Sequence, residues 1–186
     1  VLLTDSGTSA LVLALRATAS GGTVALPAYG CVDLVAAALL AGVRIRLYDI
    51  DPATLSPDLE SVQKVVARGV DAIVVAHLFG YAADIVGVQL IAAASGVAVI
   101  EDAAQGAGAS LNGKRLGSLG ALAIVSFGRG KGLCAAGGGA VLANDVWSPK
   151  LDALAVSAPR RGLSGLASTA IQWMLGRPSI YALPSA

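Results

Sequence analysis

One lysine, Lys131, stands in the stretch SFGRGKGL, residues 126 to 133. It follows an apolar run, Ala121 to Val125, and glycines flank it on both sides. A lysine forms a Schiff base with a carbonyl when its site lowers the amine's pKa. The glycines let the main chain come close to a ligand. A solvated lysine on a turn has the same local sequence, so this loop alone leaves both readings open. Two other features bear on the choice. In VIEDAAQGAGA, residues 99 to 109, Asp102 closes an apolar run. A buried carboxylate there is costly unless donors or a cation meet it. It is either a cap or structural ion pair, or an acid that holds a cationic group of a bound molecule. In SGTSAL, residues 6 to 11, small polar residues open a helix. Amide donors and a positive dipole end at such a start suit a phosphate. The hydroxyls of Thr8 and Ser9 can add to them, although ordinary N-capping uses the same residues. Ser126, at the end of a strand, can point its hydroxyl at the same anion.

Together the three features fit one cofactor. A phosphate cradle, a carboxylate at a strand end and a lysine on a loop after a later strand are what pyridoxal phosphate requires. The lysine holds the aldehyde, and the helix start holds the phosphate. The aspartate keeps the pyridine nitrogen protonated, so that the ring can act as an electron sink.

These residues must be held by regular elements, and the pattern supplies them. Thr8 to Thr18 reads as a helix with Leu11, Ala14 and Leu15 on one face. A short strand at 23 to 27 ends in proline, and an apolar helix from Cys31 to Ala41 is closed by Gly42. A strand covers 44 to 49. The next helix has Ser56 as N-cap and Pro57 at its first position, with Leu59, Val62, Val65 and Val66 on its apolar face. Buried strands are expected at 71 to 77 and 97 to 102, with a helix from Ile85 to Ser95 between them. ALAIVSF and GGAVLAN supply two more strands. Short, continuously apolar strands separated by helices predict an α/β fold. Its three layers are α/β/α, with a mostly parallel central sheet covered on both faces. Ligands in such folds sit beyond the carboxyl ends of the strands. That rule directs attention to His77, Asp102 and the loop after Phe127.

Composition narrows the class. The chain has 186 residues, 55% of them hydrophobic and 13% charged, with a formal net charge of +1. Neither the charge nor the sparse aromatics point to nucleic acid. Cys31 and Cys134 make no metal-ligand spacing and no disulfide framework, so no metal is expected and a reduced, cytoplasmic compartment is the simpler reading. A long uncharged run lies between Asp84 and Glu101, but a membrane span needs about 20 apolar residues and ASG at 94 to 96 interrupts it. No span is expected. Composition shifts after Asn144. The expected organisation is a cofactor-binding large domain over residues 1–145 and a further segment over 146–186. That segment leads to a smaller C-terminal domain beyond the chain's end.

Eight stretches, in order and at family-like spacing, carry a resemblance from about Ser6 to Asp145. They are SGTSALVLALRA, LPAYGCVD, GVRIRLYDIDPATLSPD, AHLFGYAAD, VIEDAAQGAGA, GKRLGSLG, SFGRGKGL and GGGAVLAND. The chain resembles the DegT/DnrJ/StrS family of pyridoxal-phosphate-dependent sugar aminotransferases, which have the fold-type-I aspartate aminotransferase architecture. The resemblance implies that Lys131 is the Schiff-base lysine and the later proton shuttle. It pairs Asp102 with the pyridine nitrogen and sets Gln105 near the ring hydroxyl. Thr8, Ser9 and Ser126 match phosphate-binding positions. Cys31 stands where many members carry an aromatic residue that stacks on the ring. His77 is implied to be a structural residue near the site, and Cys134 is read as packing. The implied reaction moves an amino group from glutamate to a nucleotide-linked keto-sugar, for polysaccharide or other glycan biosynthesis. The implied assembly is a homodimer whose partner completes each site. Two rivals are another pyridoxal-phosphate reaction on the same scaffold and a non-catalytic regulatory relative. Deoxygenating members replace the lysine with histidine, and Lys131 speaks against that branch.

Overall fold

The computed structural model describes residues 1–135, 137–154, 170, 171, 173 and 174. Strands and helices alternate as the sequence pattern predicts. The first half runs β1 (Leu2–Thr4), α1 (Gly7–Ala19), β2 (Thr23–Pro27), α2 (Val32–Ala41), β3 (Arg44–Tyr48) and α3 (Leu59–Ala67). There follow β4 (Ala72–Ala76), α4 (Ile85–Ala93), β5 (Ala98–Asp102), a small ribbon of β6 (Ser110–Leu111) and β7 (Lys114–Arg115), β8 (Leu122–Ser126), β9 (Gly139–Ala143) and α5 (Ser148–Leu154).

Seven strands form the central sheet in the order β1-β9-β8-β5-β4-β2-β3. β3, β2, β4, β5 and β8 run parallel to one another, and β9 pairs antiparallel with both β8 and the edge strand β1. Side chains alternate across the sheet. Ala72, Val74 and Ala76 of β4 face one apolar cluster with α1, α2 and Leu151 of α5. Ile73 and Val75 face a second cluster with α3 and α4. The three-layer α/β/α architecture with a mostly parallel sheet is therefore observed. The same alternation separates two adjacent acids of β5. Asp102 shares the α1 side with Ile100, while Glu101 shares the α3–α4 side with Val99.

Two local expectations need correction. Asp58, not Ser56, caps α3, accepting from the Ser61 amide at 2.8 Å. An Ile50–Pro57 bridge holds residue 57 in extended pairing, so the helix starts later. Ser56 Oγ instead accepts from the Asp84 amide at 3.1 Å. Cys134 is exposed on the loop after β8 and does not pack.

Residues Val1–Val156 make one compact unit, and Ser157–Ala186 a second. Most of the segment expected after residue 145 lies outside the described residues. Its first part, α5, packs on α1 through buried Leu151. Among the described residues, no helix is long and apolar enough to cross a membrane.

Candidate active site

The carboxyl ends of β4, β5 and β8 gather the polar residues that the sequence singles out. The first component is the start of α1. Ser6 caps the helix, accepting from the Ser9 amide at 3.1 Å and donating to the Ser9 hydroxyl at 3.0 Å. Ser9 thus takes part in the cap, and its own hydroxyl hydrogen remains available as a donor. First-turn amides of a helix lack intrahelical acceptors. Gly7 brings this turn against the end of β8. A Cβ on Gly7 would lie 2.7 Å from Ser126 Cβ and 3.0 Å from Ser126 Oγ. Only glycine allows that approach, which brings the first turn of α1 against Ser126.

The second component is the turn after β5. The Ala104 amide donates to Asp102 Oδ1 at 2.9 Å, which fixes the carboxyl at the strand end. Burial pushes the Asp102 carboxyl above its ordinary range, and the nearby charge of Asp33 adds to this. The Ala104 hydrogen bond and the Lys131 ammonium oppose the rise without cancelling it. A carboxylate that is short of compensation favours a cationic partner. Gln105 Oε1 accepts from the Phe79 amide at 2.7 Å, so this side chain is tied to the turn after β4. Phe79 is held at φ 54°, a left-handed conformation rare for a bulky residue.

The third component is the lysine loop. Gly130 takes φ 75°, and the Lys131 amide bonds back to the Gly128 carbonyl at 3.3 Å. Gly132 lies so close to the Ala107 carbonyl that a Cβ there would collide with it. The loop therefore leans on the segment that follows Asp102. Lys131 is half-buried, and its charge acts on the Asp102 carboxyl. Cys31 is exposed at the start of α2, and its thiol reaches Asp33 Oδ2 at 3.5 Å.

Sequence reading passed over two residues here. Asp33 bears on Asp102 across the gap between α2 and β5, a relation that no local pattern reveals. Glu101 is fully buried on the other face of the sheet. It accepts from His77 Nε2 at 2.9 Å and from the amides of Gly117, Leu119 and Gly120 at 2.6, 2.7 and 2.9 Å. The Ala83 amide donates to His77 Nδ1 at 3.0 Å, so the ring proton sits on Nε2 and points at Glu101. Burial alone would push the Glu101 carboxyl up. The hydrogen bonds from His77 and the three amides outweigh it and hold the group below the usual carboxylate range.

A carboxylate with a depressed folded-state pKa adds stability above its unfolded pKa and loses it as pH falls through the folded value. Glu101→Gln is expected to cost on the order of 3 kcal/mol at neutral pH, because one amide oxygen cannot serve four donors. The melting temperature should fall by roughly 6–12 °C. The gap to wild type should narrow as pH falls below about 4, where glutamic acid itself is protonated when unfolded. Thermal melts of both proteins across this range check it. A gap that stays constant with pH would refute the assignment of a buried charge.

Relatives bear on what this cluster does. The model of the DegT/DnrJ/EryC1/StrS aminotransferase family matches residues 1–161. The chain belongs to this family. It is similar to UDP-N-acetyl-3-dehydro-alpha-D-glucosamine 3-aminotransferase of Acidithiobacillus ferrooxidans, at 36% identity over 74% of this chain and 38% of that protein. It is also similar to the pleiotropic regulatory protein of Geobacillus stearothermophilus, at 38% identity over 75% of this chain and 38% of that protein. A sugar aminotransferase structure from Micromonospora echinospora superposes with a TM-score of 0.73 at 31% identity, over 81% of this chain and 43% of that one. The chain spans well under half the length of the curated relatives it matches. The family's cofactor is pyridoxal phosphate, and the residues present fit it. The close approach of Gly7 to Ser126 makes a corner for an anion. Asp102 is a carboxyl that burial raises at a strand end, and Lys131 brings an amine whose charge acts on it.

Proposed function

We propose that the full-length protein is a pyridoxal-phosphate-dependent aminotransferase. It moves an amino group from glutamate to a nucleotide-linked keto-sugar. The observation that carries this reading is the placement of Asp102 at the end of β5, its carboxyl fixed by the Ala104 amide, with the Lys131 loop packed against the segment that follows it. Bound there, the cofactor supplies an aldehyde for the amine and a ring that withdraws electrons from the reacting carbon. Asp102 would hold the proton on the ring nitrogen. Gln105 would steady the ring hydroxyl. The first turn of α1 and the Thr8, Ser9 and Ser126 hydroxyls would bind the phosphate, while Cys31 would pack at the ring face. Lys131 would take the proton from substrate carbon and return it to the cofactor side. The protein would act in the cytoplasm as a homodimer, and its product would enter a glycan. The similarity to a UDP-sugar 3-aminotransferase supports the sugar class. Retention of Lys131, Asp102 and Gln105 together favours an enzyme over a regulator that kept the fold.

The test uses the full-length protein loaded with pyridoxal phosphate, nitrogen-labelled glutamate and a UDP-linked 3-keto-sugar. The expected result is labelled amino sugar with an equal amount of 2-oxoglutarate. Cofactor binding without 2-oxoglutarate would refute glutamate as the donor. 2-Oxoglutarate without labelled sugar would refute the keto-sugar acceptor.

A further inference from the structure

His77 and Glu101 are buried, and the proposed chemistry uses neither. His77 is 1% exposed and Glu101 is wholly inaccessible. Their bonds converge on the segments that carry the site. The His77 amide donates to the Asp102 carbonyl at 3.1 Å. The turn that follows Asp102 rests on the imidazole. A Cβ on Gly106 would lie 3.1 Å from His77 Cβ and 2.8 Å from Leu116 Cδ1. Just beyond His77, in the same turn, the Phe79 amide holds Gln105. Directly before Asp102, Glu101 clamps the Gly117–Gly120 loop that leads into β8 and Ser126. A Cβ on Gly120 would lie 2.9 Å from Glu101 Cβ, so this loop has no slack. The pair is thus bonded to the turns on either side of Asp102 and Gln105.

We propose that His77 and Glu101 are positioning residues for the cofactor, which fix the Asp102–Gln105 turn from the opposite face of the sheet. The inference rests on the pyridoxal-phosphate reading above. Neither residue touches the cofactor. Each acts through the turn it holds, as outer-shell partners do when they orient the ligands of a bound group. His77 suits the task because it both donates and accepts. A Gln side chain keeps this polarity, with its amide N–H for Glu101 and its oxygen for the Ala83 amide. A Leu side chain fills similar space and keeps neither bond.

Cofactor affinity and thermal stability should be measured on full-length wild type, His77→Leu and His77→Gln. His77→Leu is expected to bind pyridoxal phosphate about 10- to 100-fold more weakly. His77→Gln should recover most of that affinity. The pH midpoint of the bound cofactor's visible band should move in His77→Leu, because Asp102 is displaced from the ring nitrogen. A His77→Leu protein that melts lower yet binds with unchanged affinity and band midpoint would overturn the inference and leave the pair a structural one. Wild type that binds no pyridoxal phosphate would overturn the cofactor reading and this inference with it. If His77→Leu does not fold, wild type decides by reciprocity, since a lock that aids binding must be tightened by binding. Pyridoxal phosphate should then slow hydrogen exchange at Ala83, Gly117, Leu119 and Gly120 more than at core amides of β4. Equal slowing throughout would overturn the proposal.

Discussion

Lys131→Ala in the full-length protein is expected to lower the transamination rate by about 10³-fold or more. It should also remove the label that borohydride fixes when pyridoxal phosphate is bound. The reason lies in the number of tasks this one amine is proposed to perform. It would hold the aldehyde in the resting enzyme and then move the proton to and from the substrate carbon. The neighbouring cation, Arg129, is exposed. Peptide mapping of the reduced wild-type protein should find the modification on Lys131. The proposed phosphate ligands are other residues, so Lys131→Ala should still take up the cofactor, without fixation. A label on another lysine in wild type would refute the assignment while sparing the cofactor. An unlabelled wild-type protein would refute both.

The fold and the site were legible to different degrees, and the difference follows sequence distance. β4, β5 and β8 are short apolar runs bounded by polar or glycine residues, and such runs announce themselves. Asp102 closes one such run and Lys131 follows the end of another on its loop, so strand-end logic drew attention to both. Local capping was less secure. Ser56 and Asp58 are both good caps, and the Ile50–Pro57 bridge decided for Asp58. Pairing across the sheet lay beyond local pattern, since β2 lies between β3 and β4 only because α2 and α3 pack on opposite faces. The Glu101 lock was illegible for the same reason. Its partners lie 16 to 24 residues away in the chain. From the sequence, Glu101 and Asp102 are two acids side by side. In the fold they face opposite layers and their pKa values shift in opposite directions, one carboxyl saturated with donors and the other short of them.

That opposition yields the second large effect. Asp102→Asn is expected to lower the transamination rate on the order of 10²- to 10³-fold, because a preorganised charge opposite the ring nitrogen is lost. The same variant should make the cofactor-free protein more stable at neutral pH. Burial raises the Asp102 carboxyl in the folded state, so the folded protein binds protons more readily than the unfolded one. The carboxyl's contribution is therefore most favourable below its unfolded pKa and is lost as pH rises through the folded value. At neutral pH the wild type carries a desolvated charge that asparagine lacks. Asparagine still offers an oxygen to the Ala104 amide. Melts of cofactor-free protein should show Asp102→Asn above wild type at pH 7 and the difference shrinking toward pH 4. Added pyridoxal phosphate should reverse the order, since a protonated ring nitrogen compensates the carboxylate, whereas asparagine brings no negative charge to meet that cation. A variant that melts below wild type at pH 7 without cofactor would show that Asp102 is already satisfied by its own chain, and that it serves the fold before it serves a ligand.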